Sequence, residues 1–142
     1  MKISKDSQGV VFRKKADNVE FLLLKKYDPE QDRVDFRLVK GGIEEGEKPE
    51  ETILREINEE TSLIDLNLLN KLEGYSYQAT DVLHEVSVFI VENTKDNEIK
   101  VDSTHEGGFT IESANWFSSQ EAQKILFFDQ EKELIRKALD LI

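Results

Sequence analysis

A chain of 142 residues with 38% hydrophobic content is long enough for one compact core, so we expect a single domain over residues 1–142. Asp and Glu number 30 against 19 Lys and Arg, and the net charge of −11 argues against a protein that holds long nucleic acid by neutralising its phosphates. The chain contains no cysteine, which excludes disulfides, thiolate metal ligands and a thiol nucleophile.

The apolar segments are short. None reaches the roughly 20 residues that would span a bilayer, and the first residues lack the continuous apolar region of a secretion signal. We therefore expect a cytoplasmic protein with no membrane partner. A small anionic ligand stays compatible with the acidity, because a metal ion and a few lysines can neutralise its phosphates locally.

The first forty residues predict a hairpin and a short strand. Residues 8–13 and 19–26 are β-rich runs separated by a polar turn. Residues 27–35 are polar and contain Pro29, which predicts a loop. Residues 36–39 predict a short strand that leads into a glycine-rich loop.

A helix is predicted for residues 49–61. Pro49 suits the first helical turn, and Glu50 and Glu51 complement the positive end of the helix dipole. At about 100° per residue, Ile53 and Ile57 lie on one side of this helix, together with the leucine between them. The helix can therefore bury that side and present its acidic side to a cleft.

The second half of the chain predicts three strands and two helices. The strands are expected at residues 66–78, 83–91 and 111–117. Ser118 and Glu121 form a capping-box pattern that opens a helix through about residue 126, and residues 131–141 predict a terminal helix. Strands before, between and after helices predict an α/β fold with a mixed sheet and helices on both sides.

Residues 41–63 carry the most specific chemical signal. Glu56, Glu59 and Glu60 stand at i, i+3 and i+4, so a helix projects their carboxylates within about one turn. Like charges at this spacing repel, and a divalent cation with oxygen ligands is the simplest compensating partner. In an acidic chain the alternative is a solvated acidic face, but the ordered spacing of the whole segment favours a functional site.

The same ordering resembles the signature of the Nudix hydrolases, Gly-x5-Glu-x7-Arg-Glu-apolar-x-Glu-Glu-x-Gly-apolar. The match begins at Gly41, continues through Glu47 and residues 55–60, and ends at Leu63. Ser62 departs from it, since the family usually has glycine in the left-handed turn that ends the helix. The resemblance implies an α/β/α sandwich in which this segment, the box, forms a loop, a helix and a loop at the edge of a mixed sheet.

The resemblance also implies a Mg²⁺-dependent pyrophosphohydrolase, with Mn²⁺ as an alternative ion. Glu56, Glu59 and Glu60 are the candidate metal ligands, because Mg²⁺ prefers oxygen ligands and retains waters. Family members use a box glutamate or a glutamate from a later loop as general base. The candidates for that role are Glu59, Glu106 and Glu112.

Further site residues are expected around the box. Arg55 should pair with a box carboxylate such as Glu47 and hold the helix against its loop, although an exposed ion pair of little energetic value is the alternative. The candidate substrate contacts are Lys40, Gly41, Gly42 and Tyr77. Other aromatic candidates for stacking on a nucleobase are Tyr27, Phe36, Tyr75 and Phe128. The two histidines, His84 and His105, show no metal-ligand spacing and are predicted to be structural or solvent-facing.

Several substrates stay open, because the box specifies the reaction and the rest of the cleft specifies the substrate. A resemblance to the diadenosine tetraphosphate hydrolase-like subgroup favours a dinucleoside polyphosphate. It rests on Gly-Val-Val-Phe-Arg-Lys, Phe-Leu-Leu-Leu-Lys-Lys, the Lys-Gly pair before the box, and His-Glu, Trp and Glu-Ala elements near the end of the sequence. The alternatives are a nucleoside triphosphate pyrophosphatase, a decapping-like enzyme and a noncatalytic nucleotide-binding sensor domain. A monomer and a homodimer are both compatible with the sequence.

Overall fold

A computed structural model of the protein describes residues 1–102 and 108–142. The elements in these residues are β1 (Lys2–Lys15), β2 (Asn18–Asp28), β3 (Arg33–Arg37), β4 (Val39–Gly42), α1 (Pro49–Thr61), β5 (Leu66–Ala79), β6 (Val82–Asn93), β7 (Thr110–Ser118), α2 (Ser119–Ile125) and α3 (Asp129–Leu139). Among these described helices, none has both the length and the apolar content that crossing a membrane would require.

One mixed sheet contains all seven of these strands. Its path is β3-β2-β1-β6-β5, with β4 paired to β1 and β7 paired to β2. Strands β1 and β6 are parallel, whereas the other pairs are antiparallel. The mixed sheet confirms the predicted α/β class.

Strand β1 changes partner along its length. Residues 12–15 pair with residues 18–21 of β2, and residues 6–9 pair with residues 39–42 of β4. The second pairing places Gly41 opposite Ser7. The two glycines that were expected in a loop are therefore part of the sheet, and β1 sets the position of their backbone.

The predicted loop at residues 27–35 is wrong over most of its length. Strand β2 continues to Asp28 and β3 begins at Arg33, so only a short turn around Pro29 separates them. The polar composition suggested a loop, but the backbone pairing of two adjacent strands overrides side-chain composition.

Two apolar cores lie on opposite faces of the sheet. One contains Ile53 and Ile57 of α1. The other contains Ala122 of α2 with Leu134 and Ile135 of α3. Because helices cover both faces, the protein is an α/β/α sandwich, as the resemblance implied.

Candidate active site

Helix α1 begins and ends where the sequence predicts. Pro49 is its first residue, and Ser62 follows its last residue with a left-handed φ of 67°. The Ser62 N–H donates to the Asn58 carbonyl at 2.8 Å, and its hydroxyl donates to the Lys100 carbonyl at 2.9 Å. The backbone bond would form with glycine as well, whereas the hydroxyl bond is an added contact that serine provides at the position where the family usually has glycine.

Arg55 connects α1 to the loop that precedes it. Its Nε and Nη2 donate to the two carboxylate oxygens of Glu47 at 2.7 and 3.0 Å, and Nη2 also donates to the Gly42 carbonyl at 3.3 Å. The hydrogen bonds from Arg55, followed by one from Thr52, lower the pKa of Glu47 to about 2. The expected ion pair is present, and a catalytic role for Arg55 stays a prediction.

The three box glutamates on α1 have different environments. Glu56 and Glu60 are buried, whereas the Glu59 side chain is 56% exposed. Arg55 Nη1 lies 3.1 Å from Glu56 Oε1 and 3.2 Å from Glu59 Oε2. Burial raises the pKa of Glu56, and it raises the pKa of Glu60 to about 7 despite the opposing attraction of Lys26. The three glutamates are close together in the sequence, yet the carboxylates of Glu56 and Glu60 are buried and that of Glu59 is exposed.

The carboxylates of Glu56 and Glu60 suit a hard divalent cation. Their donors are oxygens, and their raised pKa values reflect burial of negative charge that a cation would relieve. Within residues 1–102 and 108–142, no three carboxylate or imidazole side chains are already arranged to hold a metal ion. Arg55 lies between Glu56 and Glu59 in this arrangement. Metal binding by the three glutamates therefore stays a prediction.

Glu56 packs directly against Gly41 of β4. A Cβ atom at Gly41 would lie 2.1 Å from Glu56 Cδ and 2.2 Å from its Oε1. A Cβ atom at the neighbouring Gly42 would meet nothing within 4 Å. Because glycine at position 41 has no side chain, the Glu56 carboxylate can occupy that space. Strand β4 and the acidic face of α1 are therefore in direct contact.

A cleft of about 680 Å³ lies beside the box. The structure brings all four predicted substrate contacts to its wall, namely Lys40, Gly41, Gly42 and Tyr77. Its volume lies within the range typical of small-molecule sites.

The other aromatic candidates divide between the cleft and the rest of the protein. Tyr75 and Phe128 line the cleft. Phe36 instead packs edge-to-face on Phe117 with ring centroids 5.8 Å apart, and Tyr27 donates a hydrogen bond to an aspartate in the turn after β2. Two of the four candidates can therefore contact a ligand in the cleft.

Three cationic side chains converge on the cleft, and sequence reasoning missed two of them, Lys26 and Arg37. Burial, with a smaller effect from Arg37, lowers the pKa of Lys26 and lowers the pKa of Lys40 to about 8. The sequence feature that could have identified Lys26 as a cleft residue is its position on strand β2. It continues the row of Leu22 and Leu24, which are buried on the α1 side, so a charge at that position indicates a polar site.

Tyr77 and Lys40 form one unit in the cleft wall. The Tyr77 ring stacks on His84 with centroids 4.6 Å apart and planes 5° apart. Lys40 Nζ donates to the Tyr77 hydroxyl and lies 4.4 Å from the ring centroid. His84 is itself held by Asp6, whose Oδ2 lies 2.7 Å from Nδ1. His84 thus supports Tyr77, in agreement with the structural role predicted for it.

Of the two late candidates for the general base, the structure describes Glu112 alone. Glu112 lies on β7, with its carboxylate 3.8 Å from Lys25 Nζ, and it is not among the described residues that line the cleft. Glu106 and His105 lie outside the described residues. The choice of base among Glu59, Glu106 and Glu112 therefore stays a prediction.

A comparison with protein-family models covers the box together with most of the chain. The NUDIX domain matches residues 5–138, which is nearly the whole chain. The chain belongs to the Nudix family. It is accordingly a phosphoanhydride hydrolase, which confirms the class of enzyme that the box predicts. The comparison with curated proteins found no match.

Solved Nudix structures share the fold over almost their full lengths. The C. elegans Ap4A hydrolase binary complex is 22% identical, with a TM-score of 0.82 and coverage of 97% of this chain and 96% of that chain. The E. coli dihydroneopterin triphosphate pyrophosphohydrolase is 14% identical, with a TM-score of 0.74 and coverage of 96% of this chain and 97% of that chain. The NUDIX domain of Shewanella oneidensis NrtR, complexed with ADP ribose, is 18% identical, with a TM-score of 0.73 and coverage of 98% of this chain and 90% of that chain.

Proposed function

We propose that this Nudix hydrolase is a Mg²⁺-dependent pyrophosphohydrolase of nucleoside-diphosphate-linked substrates, with a dinucleoside polyphosphate such as diadenosine tetraphosphate favoured. The observation that carries the proposal is the cleft beside the box, where Lys26, Arg37 and Lys40 lie with exposed aromatic surface. Cations and an aromatic ring in one cleft match the phosphates and the base of a nucleotide.

The charge distribution supports a phosphate-bearing ligand. The chain has a net charge of −11, yet three cations share one cleft, and burial lowers the pKa of Lys26 and Lys40. Grouping like charges away from water is unfavourable in the free protein. A polyphosphate would reverse that penalty by supplying several anionic oxygens.

Phe128 supports recognition of the nucleobase. It lines the cleft and is 41% exposed, and the Arg37 guanidinium carbon lies 4.4 Å from its ring centroid. An exposed ring in a cleft can stack on a base, which contributes about 1 to 3 kcal/mol. Tyr77, whose ring stacks on His84 and contacts Lys40, lines the same cleft.

Glu56 and Glu60 would hold Mg²⁺, or Mn²⁺ in its place, and Glu59 would complete the set. By the family resemblance, a backbone carbonyl of Gly41 or Gly42 would contribute as well. The bound ion supplies polarisation of a phosphoryl oxygen and a lower pKa for the attacking water. Lys26 and Lys40 neutralise phosphate charge, while Arg55 keeps Glu47 and the helix in a fixed relation.

The preference for a dinucleoside polyphosphate rests on the sequence elements shared with that subgroup and on the fold shared with the Ap4A hydrolase. A nucleoside triphosphate pyrophosphatase is the competing activity, supported by the fold shared with the dihydroneopterin triphosphate enzyme. A single domain over residues 1–142, a cytoplasmic location and a monomeric or homodimeric state stay predictions.

The test is product analysis of the purified protein with Mg²⁺ against diadenosine tetraphosphate, nucleoside triphosphates, oxidised nucleoside triphosphates, ADP-ribose and capped RNA. Glu60→Gln removes a box carboxylate, and Glu50→Gln makes the same charge change at an exposed position of α1. We expect selective cleavage of diadenosine tetraphosphate that Glu60→Gln abolishes and Glu50→Gln preserves. Preference for a triphosphate would replace the proposed substrate, and nucleotide binding without cleavage would favour the sensor domain.

A further inference from the structure

Arg37, the last residue of β3, has a guanidinium group that is fixed on two sides. Its Nε and Nη2 donate to Glu131 Oε2 at 3.1 and 3.0 Å. The ring of Phe128 covers the guanidinium plane at 4.4 Å. The Arg37 side chain is 18% exposed, and that of Glu131 is only 2% exposed. Arg37 is therefore a preset group of the cleft wall and not a mobile surface charge.

Glu131 of α3 is itself held by several donors. Its Oε1 accepts the Leu38 N–H at 2.9 Å, and its Oε2 accepts the Gln8 side-chain amide at 2.9 Å. Gln8 in turn accepts the Tyr75 hydroxyl at 2.7 Å. This network joins α3 to β1, β5 and the junction of β3 and β4. The position of Arg37 is thus determined by four separate parts of the chain.

Stability alone does not account for an arginine at this position. A buried ion pair is often no more stabilising than well-packed apolar residues of similar size. Glu131 engages only Nε and Nη2 of Arg37, and within residues 1–102 and 108–142 Nη1 has no hydrogen-bond acceptor. The residue also lines the cleft. Its remaining donors can therefore serve a ligand.

We propose that Arg37 binds the substrate phosphate next to the nucleoside that stacks on Phe128, and that Glu131 is a positioning residue that presets the guanidinium. The proposal rests on the proposed function for the nucleotide character of the ligand. A guanidinium matches two phosphate oxygens through parallel N–H groups, which a flexible ammonium does not. Because Arg37 touches Phe128, the phosphate it binds lies close to the base and distant parts of the phosphate chain are left to the lysines.

Arg33 provides a matched control on the same strand. Arg33 is the first residue of β3 and Arg37 is the last. The Arg33 guanidinium carbon lies 4.2 Å from the ring centroid of Phe127, and its Nε donates to Asp35 Oδ1 at 2.9 Å. Arg33 is not among the described residues that line the cleft. Arg33→Met and Arg37→Met therefore remove the same charge and the same type of stacking contact, but only Arg37→Met changes the cleft.

Calorimetry with Mg²⁺ and an ATP analogue whose α,β and β,γ bridges are both methylene groups tests the contact without turnover. We expect Arg37→Met to weaken binding about 10- to 100-fold, as loss of a charged hydrogen bond does. Arg37→Lys should recover only part of the loss, and Arg33→Met should stay within about two-fold of the wild type. Adenosine, which has no phosphate for Arg37 to bind, should bind wild type and Arg37→Met within about three-fold of each other.

Steady-state kinetics distinguish positioning from folding for Glu131→Gln. We expect its KM to rise about five-fold with kcat within two-fold of the wild type, because the guanidinium is less well placed. An unchanged KM with a lower kcat would indicate a merely structural role and would overturn the assignment of Glu131.

Equal nucleotide affinity in Arg37→Met and Arg33→Met, or no binding of the analogue by the wild type, would overturn the assignment of Arg37. These outcomes are separate from those for the proposed function. Arg37-dependent binding without hydrolysis would support the role of Arg37 and contradict the proposed hydrolase function. Hydrolysis of nucleotides that is insensitive to Arg37 would do the reverse.

Discussion

Arg55 binds both carboxylate oxygens of Glu47, at 2.7 and 3.0 Å, and thereby joins the two parts of the Nudix box. The loop residue Glu47 and the helix residue Arg55 stand eight positions apart, so their pair sets where α1 begins relative to the loop. The same guanidinium reaches Glu56 and Glu59. One side chain thus links the loop to the acidic face of the helix.

Arg55→Lys should reduce kcat/KM by about 10-fold or more, because an ammonium keeps the charge but cannot make the two parallel hydrogen bonds. We expect the melting temperature to fall by only a few degrees, since the group is partly exposed. Arg13→Lys is the matched control, because Arg13 pairs with Glu20 at 2.8 Å and does not line the cleft. Wild-type kcat/KM in Arg55→Lys would contradict the organising role.

Gly41→Ala should remove most activity, whereas Gly42→Ala should keep it. The added methyl group at position 41 would overlap the Glu56 carboxylate, but the methyl group at position 42 meets nothing within 4 Å. We expect at least a 100-fold loss of kcat for Gly41→Ala and a change below about three-fold for Gly42→Ala. Because a side-chain end can move, thermal unfolding should show both variants folded. Equal activity in the two variants would disprove the proposed link between β4 and Glu56.

Glu60 should make the metal-free protein less stable as the pH rises. Its pKa is about 7 in the folded protein against an ordinary value of 4.5, so folding favours its protonated form. The resulting penalty is absent below pH 4.5, grows between pH 4.5 and 7, and is complete above pH 7. In EDTA, the free energy of unfolding of Glu60→Gln relative to the wild type should therefore increase by about 1 to 3 kcal/mol from pH 4.5 to pH 8. Denaturant titrations at both pH values measure it, and a difference independent of pH would refute it.

Lys40 should impose an upper pH limit on substrate capture. Burial lowers its pKa to about 8, so the side chain carries its charge below pH 8 and loses it as the pH rises through that value. The kcat/KM should therefore fall about 10-fold between pH 7 and 9.5. Lys40→Arg keeps the charge and should extend the plateau to higher pH.

Lys25→Arg is the control for that profile. Lys25 lies on the same strand as Lys26 but pairs with Glu112 outside the cleft wall. Its replacement should leave the pH profile of kcat/KM unchanged. If kcat/KM of Lys40→Arg still falls as the pH rises through 8, a group other than Lys40 titrates there.

The local features of the fold could be predicted from the sequence because each depends on residues close together in the chain. Helix α1 was predicted at its observed bounds, since Pro49 favours its first turn and apolar residues recur with helical spacing. The left-handed turn at Ser62 was expected from the box. The order of the box residues also identified the family, because short-range spacing on one helix carries its chemistry.

Tertiary structure decided what surrounds the box. The polar composition of residues 27–35 and Pro29 predict a loop, but pairing between β2 and β3 makes most of that segment strand. Arg37 and Glu131 are 94 positions apart and meet only because α3 packs where β1, β3 and β4 come together. The sequence by itself determined the reaction class through neighbouring residues, whereas the cleft that receives a substrate depends on sheet register and helix packing, which local periodicity does not encode.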